Sequence, residues 1–195
     1  MSLLQLKPAL HRFDKSRFND ISELQSTSPT RDGWVAMMIT CSELGFAPDS
    51  NSLFKPGQLF IVQNFGNVVL PDSCVTAGET RCVIAATERE IQHIIVCGHL
   101  SCRTVGHFLE KGSRSVIWLE HGNRLRDLVQ AHYPHLTHQQ MVDVGAQENV
   151  LIQLEHLLAD IDVTGANIRV QGWLLDDDTQ RIYSYNVRSG QFERT

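Results

Sequence analysis

His93-Ile94-Ile95-Val96-Cys97-Gly98-His99-Leu100-Ser101-Cys102 decides the architecture of this chain. Its first half is a short, unbroken apolar run, the pattern of a strand buried on both faces of a parallel sheet. The run ends on a histidine, and a cysteine follows three residues later, at what reads as the entry to a helix. Side chains at the carboxyl end of such a strand face the crevice in which open α/β sheets build their sites.

Similar runs lie on either side. Val35-Ala36-Met37-Met38-Ile39-Thr40 reads as a central strand and leads directly into Cys41, and Leu59-Phe60-Ile61-Val62 reads as a third strand buried on both faces. The alanine-rich stretch from Arg81 to Glu90 reads as a crossover helix. Strands alternating with helices predict an α/β fold with a mostly parallel sheet flanked by helices. Val150, Leu151, Leu154, Leu157 and Leu158 recur at helical spacing, which predicts a helix over about residues 146–159 that exposes Glu148, Glu155 and His156. Trp118, Leu125, Leu128 and Val129 suggest another. The histidine-rich stretch 132–138 contains Pro134 and has no coherent face, so it reads as a solvated loop. Asp176-Asp177-Asp178-Thr179-Gln180 reads as a turn before a strand in which Tyr183, Tyr185 and Val187 alternate.

Composition narrows the setting. The 195 residues are enough for one domain with a real core, residues 1–195, in which residues 1–33 are expected to form an N-terminal helical arm with Leu6, Leu10, Phe13 and Phe18 on one side. A net charge of -5 argues against nucleic acid as a partner. No apolar run approaches the roughly 18 residues of a membrane span. An odd number of cysteines and no apparent secretory leader lead us to expect free thiols in a reducing, cytoplasmic compartment.

Thiolate and imidazole are the ligand types that hold zinc in tetrahedral geometry. Cys41, His99 and Cys102 are therefore the candidate Zn2+ ligands. The His-x-x-Cys spacing keeps two of them close together, and Cys41 arrives from a neighbouring strand end. Cys74, Cys82 and Cys97 have no matching position and read as ordinary thiols.

The segments around these ligands resemble the β-class carbonic anhydrases. Cys41-Ser42-Glu43-Leu44-Gly45 and Val96-Cys97-Gly98-His99-Leu100-Ser101-Cys102 are similar to that family's two ligand segments. Gly57-Gln58-Leu59-Phe60-Ile61-Val62-Gln63-Asn64-Phe65-Gly66-Asn67 resembles its G-D-L-F-V-V-R-N-A-G-N run. Glu148-Asn149-Val150-Leu151-Ile152-Gln153 and Val170-Gln171-Gly172-Trp173-Leu174-Leu175-Asp176 resemble its N-V-x-x-Q helix and V-x-G-W-x-Y-D strand. The likeness runs in order from about residue 34 to about residue 185. It implies a zinc lyase that interconverts carbon dioxide and bicarbonate, and a homodimer or higher homo-oligomer whose N-terminal helices embrace a partner subunit. It also implies a pocket glutamine, for which Gln25 is the candidate.

The departures from the family fall on the catalytic machinery. Where the family reads C-S-D-S-R, this chain has Glu43 for the aspartate and Gly45 for the arginine. The resemblance gives that pair the task of orienting the zinc-activated water, through a charge-assisted contact that glycine cannot make. Glu43, longer and without its usual partner, is able to swing onto the metal as a fourth ligand, and a closed tetrahedral zinc is a structural one. Arg103 stands where the family has glycine; it either restores positive charge beside Glu43 or is a surface residue at a helix start. Phe65 either narrows the substrate pocket or belongs to the core. The expectation is hydratase activity that is weak or absent. The alternative is an active carbonic anhydrase, or a hydrolase of a related heteroallene such as carbonyl sulfide, with Glu43 and Arg103 compensating.

Overall fold

A computed structural model describes residues 3–44, 53–69, 82–111 and 116–195. Among the described residues, six strands form one sheet: β1 (Ala36–Cys41), β2 (Leu59–Asn64), β3 (His93–His99), β4 (Arg169–Asp176), β5 (Arg181–Asn186) and β6 (Gln191–Arg194). The order is β2-β1-β3-β4-β5-β6. The first four strands run parallel, and β5 and β6 close the sheet as antiparallel hairpins. The helices are α1 (Ile21–Ser26), α2 (Cys82–Glu88), α3 (Arg103–Lys111), α4 (Val116–His132) and α5 (His138–Thr164).

The period-2 geometry of the strands sorts their side chains into two cores. Met37, Ile39, Ile94, Val96, Val170 and Leu174 join α5 residues such as Val150 and Leu154 on one face. Ala36, Met38, Ile95, Cys97, Trp173 and Leu175 join Leu24 of α1 on the other. Every residue of β1 and β3 is buried, as the two apolar runs predict.

β2 differs from its expected place: it lies at the sheet edge and is only partly buried. Phe60 of this strand meets the Trp34 ring edge-on and has the Arg89 guanidinium 4.8 Å from its own ring. The approach of that cation to the ring face is an additional electrostatic contact.

α5 is longer than its apolar stripe suggests because its start is set by a capping box. The Thr137 hydroxyl accepts the Gln140 main-chain N–H, and the Gln140 side chain accepts the N–H of Thr137. It ends at Gly165, whose φ of +66° is the left-handed C-cap conformation. The middle of the helix is buried nearly all round, so Glu148 lies fully inside rather than exposed as expected, and Glu155 and His156 are half-buried.

The N-terminal arm explains this burial. Helix is confined there to a 3-10 turn (Lys15–Arg17) and to α1, and the remainder is turn and irregular chain lying on its own domain. Leu6 is buried in the core, and its N–H donates to Gln191 at 2.8 Å. His11 bridges Glu148 at 2.7 Å and Glu155 at 2.8 Å. Tyr133, inside the stretch read as a loop, donates its hydroxyl to Glu148. Burial by itself would lower the His11 pKa, but the two carboxylates outweigh it and raise the pKa to about 9. A protonated His11 thus neutralises a carboxylate that would otherwise be buried at high cost.

Candidate metal centre

Two adjacent parallel strands deliver the first two ligands. Thr40 of β1 pairs with Cys97 of β3, so Cys41 and His99 emerge at the same carboxyl-terminal edge of the sheet. The chain then turns through Ser101, at a φ of +56°, and places Cys102 immediately before α3. Asp143 of α5 holds this turn by accepting the Ser101 N–H at 3.0 Å.

Cys41, Glu43, His99 and Cys102 converge, with their four ligand atoms all within 4.8 Å of one another. The two sulfurs are 3.9 Å apart. Nδ1 of His99 faces the Leu100 carbonyl at 3.1 Å and Asp177 Oδ2 at 3.4 Å. Nε2 is buried with no hydrogen-bond partner, which is the state of an imidazole nitrogen reserved for another ligand.

Main-chain donors surround the first sulfur. The N–H groups of Gly66 and Glu43 point at Cys41 Sγ from 3.4 and 3.5 Å. Gly66 has a φ of +78°, and a Cβ there would stand 3.0 Å from the Phe108 ring, so only glycine brings this amide so close. Asn149 of α5 steadies the same loop by donating to the Gly66 carbonyl at 2.8 Å. The Cys102 thiol, followed by the His99 ring and these two amides, brings the Cys41 pKa down to about 4 against the opposing effect of burial. Cys102 moves in the opposite direction because a thiolate lies beside it. One proton shared between two sulfurs is an arrangement that a divalent cation replaces, since metal binding releases ligand protons. Two sulfurs, one unpartnered imidazole nitrogen and one carboxylate form a donor set suited to tetrahedral zinc.

Glu43 is placed by the helix that follows Cys102. Its Oε2 accepts the Thr104 N–H in the first turn of α3 at 3.1 Å and lies 3.8 Å from Cys102 Sγ. A free amide at a helix N-terminus favours an anion at that spot. Arg103 reaches Glu43 Oε1 at 3.8 Å from Nε, but its side chain is 87% exposed against 17% for Glu43. A contact of that kind in water is weak. A cleft of about 660 Å³ opens beside the centre, bordered by Glu43, His99, Arg103, Asp143 and Asp177.

The remaining sequence candidates are not among the four clustered donors. Phe65 is 63% exposed, so it is not a core residue. Gln25 is exposed on α1. Gly45 and Cys74 lie outside the described residues. Cys97 is a buried thiol pushed up to about 12 by burial, and Cys82 is similarly raised to about 11. Cys41, Cys82, Cys97 and Cys102 are all free. No helix among the described residues is long and apolar enough to cross a membrane. The Gly66 and Thr104 amides and the Asp177 carboxylate are the site groups that residue types in the sequence do not reveal. The G-N pair at 66–67 was the only local hint of the first.

Comparisons with known proteins agree with this geometry. The family profile described as carbonic anhydrase matches residues 36–182. A carbonic anhydrase of Synechocystis sp. is 27% identical over 161 residues, 77% of this chain and 59% of that protein. One of Pseudomonas aeruginosa is 27% identical over 191 residues, 93% of this chain and 86% of that protein. Among solved structures, the β-carbonic anhydrase CcaA superposes with a TM-score of 0.72 at 26% identity, covering 89% of this chain and 88% of that one.

Proposed function

Since this chain belongs to the β-class carbonic anhydrase family, we propose that it is a zinc protein held by Cys41, His99 and Cys102 and closed by Glu43. Its hydration of carbon dioxide is accordingly weak or absent. The observation that carries this reading is the position of the Glu43 carboxylate, inside the same 4.8 Å cluster as the other three donors. Zinc, when bound with an open position, supplies Lewis acidity that brings a water pKa to about 7. Glu43 competes for that position. The Thr104 amide keeps its carboxylate turned toward the sulfurs, and the family's arginine, which draws the carboxylate away, is replaced by Gly45.

A second reading rests on the Arg103–Glu43 contact at 3.8 Å. If that pair draws Glu43 off the centre, the protein is an active hydratase or acts on a related heteroallene such as carbonyl sulfide. The exposure of Arg103 favours the closed form, because screening by water and salt leaves such a pair little energy. Family membership also supports a homo-oligomer, which light scattering on the eluting protein measures directly. Stopped-flow hydration of carbon dioxide by protein of verified zinc content decides between the two readings. Little or no turnover supports a closed centre, and turnover typical of the family rejects it.

A further inference from the structure

We propose that Asp177 is a positioning residue for the metal centre, orienting the His99 imidazole through Nδ1 so that Nε2 is presented to the ion. This rests on the reading of Cys41, His99, Cys102 and Glu43 as a zinc site. Three features of the β4–β5 hairpin carry it. Asp177 Oδ2 lies 3.4 Å from His99 Nδ1, an ion-pair contact beside the hydrogen bond between that nitrogen and the Leu100 carbonyl at 3.1 Å. The two adjacent aspartates at the start of the turn divide their work. Asp176 serves the turn itself, accepting the N–H groups of Asp178 and Thr179 at 3.2 Å and the Thr179 hydroxyl at 2.6 Å. The turn therefore does not require the Asp177 carboxylate, yet Asp177 Oδ1 is buried without a hydrogen-bond partner. A carboxylate half withdrawn from water and set against an imidazole, without serving the local fold, has its function in that contact.

The chemistry is that of a metal-binding histidine whose far nitrogen meets both a carbonyl and a carboxylate charge. A ligating histidine donates its other N–H to an acceptor, which fixes the tautomer and ring orientation and makes the ligating nitrogen a better donor. The Leu100 carbonyl fixes the tautomer alone. Asp177 adds a negative charge that favours the polarised ring.

The test compares wild type with Asp177→Ala, Asp177→Asn and the neighbouring control Asp178→Asn, using zinc itself as the probe. Zinc affinity is measured by competition with a chromogenic chelator, and the His99 Nδ1–H resonance is followed by 15N-edited NMR of the zinc-loaded protein. The expected result is a loss of about 10- to 100-fold in affinity for both Asp177 variants, a shifted Nδ1–H resonance, and no change in Asp178→Asn. If the alanine variant does not fold, the asparagine variant, which keeps the shape and drops the charge, carries the measurement. A wild type that binds zinc, with Asp177 variants equal to it in affinity and resonance, overturns this inference and leaves the metal centre standing. A wild type that binds no zinc overturns both.

Discussion

Glu43 accepts the main-chain N–H of Thr104 at 3.1 Å, so a carboxylate from the loop after β1 is tied to the first turn of the helix after β3. This link spans the two ligand segments. Replacing Glu43 with alanine removes both the proposed fourth metal donor and the tie. Since outer partners of a metal site already cost about 10- to 100-fold in affinity, Glu43→Ala is expected to weaken zinc binding at least about tenfold in chelator competition.

The double variant Glu43→Asp with Gly45→Arg recreates the family's pair. Restored orientation of the attacking group is expected to raise carbon dioxide hydration about a hundredfold, the scale of one well-placed electrostatic contact. Stopped-flow assay of zinc-loaded protein reads this, and an unchanged rate rejects loss of the pair as the cause of low activity.

Arg103→Ala separates the two functional readings. The exposed contact with Glu43 contributes no more than about 1 kcal/mol, so urea denaturation is expected to shift little. The hydration rate stays unchanged if the centre is closed by Glu43. A marked fall in rate would show instead that Arg103 holds Glu43 away from the metal.

His11 ties stability to pH. Its pKa rises from 6.5 to about 9 on folding, so the protonated ring contributes fully below about 6.5 and the contribution fades as pH rises through about 9. Denaturation of wild type and His11→Gln across this window is expected to show a stability gap that is widest at the acidic end and shrinks toward pH 10. A gap independent of pH would rule out a charged latch.

Gly98, next to the ligand His99, has no room for a methyl group. A Cβ there would stand 2.8 Å from Val150 Cγ2, and the stiff β-branched valine has little freedom to retreat. Gly98→Ala is expected to destabilise the fold by about 1–3 kcal/mol in urea melts and to loosen metal binding in parallel.

The sequence displayed most of this architecture because burial on both faces leaves a continuous apolar run, and β1 and β3 carry theirs directly into Cys41 and His99. The same cue misplaced β2, since an apolar run reports that a strand meets hydrophobic neighbours and not whether it lies at the sheet edge. Glu148 looked like a solvent-facing residue on an amphipathic helix. Its partner His11 is 137 positions away, and a pairing at that distance leaves no trace in local periodicity. The ligand set was legible because its residue types are chemically distinctive. Asp177 was not, because an aspartate in a turn is the commonest thing a turn contains, and only the folded hairpin shows which of two neighbours faces the imidazole.

The register that sets Thr40 opposite Cys97 makes the ligand cluster a proofreader of assembly. A one-residue slip of β1 against β3 would flip every side chain of the strand to the opposite face, carrying the Cys41 sulfur away from the imidazole. If the centre binds zinc as proposed, mispaired chains would forgo the ion, and metal content in a preparation would count the molecules whose sheet was threaded correctly.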